Sequence, residues 1–553
     1  MNHSYTKYAE IGLDSIPRIL SCIDRNKYSP TYGCFHRDYW LYKTSDFPDA
    51  VRQFGMHALA LVYTQKLHNN PYYKSKKILE WAISGLLFWS KIQHNDGSFD
   101  EFYPNERGWV GPTAFTTYTS IETFILLRNK IPQEQQSIIL KSIIKAANFI
   151  AKGDKEGDHL ANHHAMACLA LWKAYKLTKI KNLKIAYNNA LNVFKTYHDY
   201  EEGWSKEYDG IDPGYLSATI SFLGKIYLDN KSKEILKIVE KSIEMCSYFI
   251  YPNGFYAGSL GSRNTMHFYS HGFEIFKNNV PLANSISKFM LNCISQAKLV
   301  PPSIMSDRYL FYRVPELLLS YIDSNGISKF EAKLPFEYNS YFKFFPNSKI
   351  WIKCTKNHYM IANLAKGGVV KVFCKKSNKL IINDCGIIGQ LSSKKIVTSQ
   401  WIDEDYLIKT ANEYFCVKGK MNFVPSNKYF NILKLIIFRL TLFFIGWTPL
   451  THKLKGWIRK ILMVGNRRTD VSFSKELIVN KHKLTIITKI FNVNKNKFIS
   501  MSIGDEFFVR YVPQSRFFQS QELYIDCHTL GKNDLIKLNS TNTFTLRKSI
   551  TLI

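Results

Sequence analysis

The sequence has no CxxC pair, and its ten cysteines stand singly from Cys22 to Cys527, none grouped with histidines at metal-ligand spacing. No metal centre or other cofactor is expected from that pattern. The first residues, Met1 to Tyr8, lack the apolar stretch of a secretory signal. Together these absences point to a reduced compartment, with the protein cytoplasmic or peripheral to the inner membrane surface. Twenty-eight Gly and 18 Pro are too few for collagen-like or low-complexity material. Acidic residues are scarce, at 44 against 74 Lys plus Arg, which gives a formal net charge of +30. That excess favours an anionic partner: nucleic acid, an acidic membrane or an acidic polysaccharide. Nucleic acid is not expected, because no recognised motif or compact basic helix accompanies the charge.

What is present is a long, apolar chain. Its 553 residues exceed a typical ~150-residue domain several-fold, and hydrophobic residues at 46% with aromatics at 15% exclude disorder. Apolar residues recur at helical spacing in Ile78–Trp89, Ile138–Ile150, Met166–Tyr175, Ala186–Tyr197, Leu216–Tyr227 and Ile235–Phe249. Asp96-Gly97-Ser98-Phe99, Glu202-Gly203-Trp204 and Asn253-Gly254-Phe255 each place a polar residue, a Gly and an aromatic after such a run. Their spacing is that of repeated α-hairpins, stacked as an open solenoid or closed as an α/α toroid, with the Gly-aromatic loops gathered at one end.

Beyond about Pro335 the texture becomes short, β-branched and turn-bounded, as in Gly368–Phe373, Lys379–Ile382 and Lys483–Thr488, the pattern of an antiparallel β-sandwich. The expected organisation is therefore a helical domain over 1–335 and a β-sandwich over 336–553, with an apolar-basic insertion near 428–465. Within that insertion Ile432–Trp447 is too short and too interrupted, by Lys434 and Arg439, for the ~20 apolar residues of a spanning helix. It reads either as a helix lying on an anionic membrane or as a buried amphipathic helix.

Three segments carry the polar groups of a possible site. Asp158-His159-Leu160-Ala161-Asn162-His163-His164 opens a helix with three histidines and an Asn that is also a natural N-cap. The Gly-rich loop Glu202–Tyr215 holds Trp204, Glu207, Tyr208 and Asp212 and runs into the helix of Tyr215. In Gly258–Gly272, Arg263 offers a planar fork for a carboxylate, and His267 and His271 share a face if helical. Trp109 adds an aromatic face suited to sugar rings.

The helical hairpins, the Asn162-His163-His164 helix start, the Tyr215 loop, the Arg/His segment and the β-rich end resemble the heparinase II/III-like polysaccharide lyases and related alginate lyases. The resemblance implies an (α/α) toroid followed by an antiparallel β-sandwich, with an acidic polysaccharide in the cleft. It implies β-elimination at a uronic acid, where the C5 proton leaves only if enolate charge is neutralised. In this reading Asn162, with His163 or His164, grips the carboxylate. Tyr215 serves as base, acid or both, helped by Arg263, and His267 or His271 is the second proton carrier. Trp109, Trp204, Glu207, Tyr208 and Asp212 complete the sugar-binding surface. Alternatives with the same residues are a uronate C5-epimerase, glycoside hydrolysis by Glu207 and Asp212, and a non-catalytic, membrane-associated carbohydrate binder.

Overall fold

The computed structural model describes residues 5–154, 160–324, 330–424, 431–463, 466–492, 496–504 and 527–552, of which 458–463 are described in backbone only. Helices run from Thr6–Asp14 to Asp307–Asp323. The last packs on the first, so the ring of hairpins closes into a toroid. Its core is continuous from Ala9 to Val314.

The Gly-aromatic loops explain how the hairpins dock. Gly97, Gly203 and Gly254 all take left-handed backbone, with φ of 95°, 81° and 86°. A Cβ on Gly97 would lie 2.3 Å from the Lys145 carbonyl oxygen, and one on Gly203 2.2 Å from that of Lys241. Each loop thus presses its backbone onto a neighbouring helix, which only glycine permits. Gly203→Ala adds both strain and collision and is expected to cost roughly 1–3 kcal/mol, measured as a lower urea midpoint.

Beyond the helical domain and its one two-stranded hairpin, the strands begin at Tyr341–Phe345. Among the described residues they form a five-stranded antiparallel meander, from Tyr341–Phe345 to Lys379–Asp384, and a nine-stranded sheet. The meander is the middle layer. Ile350, Ile352, Tyr359 and Ile361 join the helical core, whereas Trp351, Met360, Ala362 and Val370 face the nine-stranded sheet. Burial on both faces is why these strands read as continuous apolar runs instead of alternating ones. The meander also buttresses the toroid: the Asn363 amide donates to the Leu260 carbonyl at 2.7 Å, and the Lys366 ammonium to those of Ser259 and Gly261 at 2.8 and 2.7 Å.

The apolar-basic insertion forms two helices, Ile432–Ile445 and Pro449–Met463. They leave and rejoin the nine-stranded sheet between strands Tyr414–Phe423 and Arg468–Asn480, which pair with each other. No described helix is long and apolar enough to cross a membrane.

Candidate active site

The site starts from a tight hairpin in which Lys206–Glu207 pairs with Gly210–Ile211. Tyr208 sits in its turn at φ 58°, a left-handed conformation that non-glycine residues seldom adopt. The hairpin delivers Glu207 to the start of helix Ala161–Thr178. The backbone N–H of Asn162 donates to Glu207 Oε1 at 2.8 Å, and its Nδ2 donates to both carboxylate oxygens at 2.8 Å. Leu160, not Asn162, is the N-cap and offers no side-chain cap. A distant carboxyl group therefore supplies the cap.

Burial pushes the Glu207 carboxyl up to about 8, opposed by the Arg263 charge and the Asn162 hydrogen bonds. The folded state then holds a proton that the unfolded chain has already lost. Glu207 should make stability fall as pH rises from about 4.5 to about 8, and level off above that. Thermal unfolding of wild type and Glu207→Gln across this range should show wild type losing ground to the variant. A pH-independent difference would contradict the assignment.

Asp212 turns inward. One oxygen caps helix Pro213–Asn230 by accepting from Tyr215 N at 3.1 Å. The other accepts from Arg263 N and Thr265 N at 3.0 and 3.3 Å. Burial raises its carboxyl, with those amides pulling the other way. These bonds fix the Arg263 loop against the Tyr215 helix. The Arg263 guanidinium lies 4.4 Å from the centre of the Tyr208 ring and 4.9 Å from that of Tyr215. Burial pushes the Tyr215 phenol well above its ordinary range despite the Arg263 charge, so the resting side chain keeps its proton.

One cleft in the toroid is lined by Asn162, His163 and Tyr215, with Phe115, Tyr269, Arg308, Tyr309 and Tyr312 among its other walls. His163 stacks on Trp109 at 5.3 Å. Gly111 makes room for it, since a Cβ there would meet His163 Nδ1 at 2.6 Å. At the rim Arg308 pairs with the buried Glu101 and lies 4.5 Å over Phe102.

The remaining expected groups lie elsewhere. His164 stacks on Tyr197 at 4.6 Å, roughly a hundred degrees round the helix from His163. His271 is bound through Nε2 to Asp323 at 2.6 Å. His267 is buried beneath Tyr309, ring on ring at 5.0 Å, one layer behind the cleft wall. Trp204 bonds Glu202 at 3.1 Å. Glu207, Tyr208, Asp212 and Arg263 stand behind the wall as supports and do not line the cleft. Asp158 and His159 lie outside the described residues. Sequence reasoning missed Glu101, Arg308, Tyr309 and Tyr312; the last three recur at helical spacing in Asp307–Asp323, a usable signal. Among the described residues no cluster of His, Cys, Asp or Glu could hold a metal ion.

Residues 61–272 match the ulvan lyase N-terminal domain family. Over that stretch the helical domain is similar to the N-terminal domain of a polysaccharide lyase family. The matched segment carries Asn162, His163, Tyr215 and Arg263, and ends before Arg308. The whole architecture also superposes on solved structures. The Streptomyces coelicolor A3 chondroitin AC lyase, in complex with chondroitin sulphate, matches with a TM-score of 0.55 at 9% identity, over 91% of this chain and 68% of that one. A Paenibacillus xanthan lyase gives 0.55 at 10% identity over 91% of this chain, which spans only 46% of that enzyme. At such identities the likeness establishes the fold, a toroid followed by antiparallel sheets. No curated protein matches the chain in sequence.

Proposed function

We propose that the chain cleaves an acidic, uronate-containing polysaccharide by β-elimination. The observation that carries this reading is the meeting of Asn162, His163 and Tyr215 on one aromatic-walled cleft. The matched ulvan lyase domain and the chondroitin AC and xanthan lyases of like fold support it. Arg308 faces the uronate carboxylate with charge, and Asn162 with an amide that Glu207 holds in one orientation. Neutralising that carboxylate makes the C5 proton removable. His163 takes the proton; the C5–H electrons form the C4–C5 double bond as the C4–O bond breaks. Tyr215, protonated at rest, gives its proton to the departing oxygen, and the guanidinium against its ring stabilises the phenolate left behind. Proton return from His163 to Tyr215 resets the site.

Hydrolysis by Glu207 and Asp212 is disfavoured because both carboxylates are spent on buried amides. The test is a panel of uronate polymers, including ulvan and chondroitin sulfate, followed by ultraviolet absorbance of the new double bond. A rise on at least one polymer is expected. A flat trace on all of them, from protein that binds them, would overturn the reading.

A further inference from the structure

The insertion carries an exposed apolar surface. Its first helix, Ile432–Ile445, buries Leu442 but leaves Leu433, Ile437, Leu440, Phe443 and Phe444 each more than half exposed, and Trp457 of the second helix likewise. Monomeric soluble proteins seldom leave so large a contiguous apolar face in water. The opposite side of the hairpin is firmly docked. Phe438 meets Tyr103 edge-on at 4.8 Å, Arg439 reaches Asp46 at 3.3 Å, and Lys455 approaches Glu106 at 3.9 Å. These contacts hold the hairpin from Phe438 onward, while Ile432 to Ile437 ahead of them stand exposed in succession.

Charge decides the occupant. From Asn431 to Met463 the sequence contains no Asp or Glu and six Lys or Arg, and Lys434 and Lys453 are exposed. A second copy would bring the same cations, on a chain of net charge +30, against them. An anionic bilayer instead offers apolar depth and opposite charge together, which is what an interfacial helix requires. Length excludes spanning: the 14 residues of the first helix reach about 21 Å, short of the roughly 30 Å hydrocarbon core.

We infer that the hairpin seats the protein on the surface of an anionic membrane, with its apolar side in the headgroup region. The docked side rests on the 99–109 loop, whose Phe102 and Trp109 stack toward His163. Lipid therefore lies beside the mouth of the cleft, and on the reading above the polymer being cut is one held at a membrane surface.

Vesicle sedimentation tests the seating without any substrate. The full chain is mixed with phosphatidylcholine vesicles, with and without phosphatidylglycerol. Co-sedimentation with the anionic vesicles is expected, falling about tenfold on neutral vesicles or in high salt. Phe443→Asp with Phe444→Asp should lose binding by at least about tenfold while thermal stability and cleavage of soluble polymer stay unchanged. Lys434→Glu with Lys453→Glu gives an independent charge test and should weaken only the anionic binding. Wild type left in the supernatant, or binding indifferent to both pairs, overturns the inference. So does a dimer in solution that both pairs dissociate, which would mean that a second copy covers the face. Cleavage of soluble polymer is read separately, so loss of either result leaves the other standing.

Discussion

Tyr215→Phe should lower kcat for release of unsaturated ends by about 10²- to 10⁴-fold, the range lost with a general acid. The change removes a single hydroxyl. The ring keeps its place beside Arg263, 4.9 Å away, and the Asp212 cap that starts the helix accepts from the Tyr215 backbone, which the substitution spares. Stability should therefore shift by no more than about 0.5 kcal/mol. His163→Ala should fall into the same activity range if it is the partner base. It also vacates the stack on Trp109, so its melting temperature must be reported with its rate. A Tyr215→Phe protein with full activity would remove the phenol from the chemistry and leave the cleft as a binding groove.

The largest stability effect is expected away from the chemistry. Helix Pro213–Asn230, which carries Tyr215, is tied to helix Asp307–Asp323, which carries Arg308, by a buried ion pair. Lys225 Nζ lies 2.5 Å from Glu316 Oε1 and 2.5 Å from Ser221 Oγ, and Ser221 Oγ donates to Glu316 Oε2 at 2.8 Å. Burial drives the Lys225 ammonium down, with Glu316 opposing, and the nearby His57 is pushed to about 3 by burial and the Lys225 charge. Glu316→Ala strands the ammonium in this interior and should cost about 3–5 kcal/mol, measured by urea denaturation. Replacing both members, as Lys225→Met with Glu316→Leu, should restore most of the loss, because no unpaired charge is then buried. If the single variant is as stable as wild type, the pair is not holding the two cleft walls together.

Much of this architecture was legible in the chain. The three Gly-aromatic loops marked the hairpins because their left-handed glycines answer to a local steric need that any sequence must meet. The change from helical to β-branched texture announced the sheets for the same reason, since periodicity follows burial. What burial hid was the role of the middle sheet: Ile350 and Trp351 face opposite cores, so no alternation records which layer is which. At the site, Asn162 and His163 stood out as polar residues opening a helix, whereas Tyr215 was singled out by the family resemblance; the structure sets all three on one cleft. Local spacing failed for His271, whose partner Asp323 lies far along the chain. It also failed to separate His163 from His164, which only neighbours in space, Trp109 and Tyr197, distinguish. The supporting place of Glu207 behind Asn162 depends on a contact across 45 residues.

The most direct test of the chemistry is the mass of the fragments released from a defined uronate oligosaccharide. If C4–O cleavage proceeds by proton removal at C5, the two fragments sum to the mass of the substrate, and one carries a double bond. Fragments that together weigh one water more would mean hydrolysis, and an uncut oligosaccharide that has taken up solvent deuterium would mean epimerisation; either result contradicts the assignment made to Tyr215 and His163.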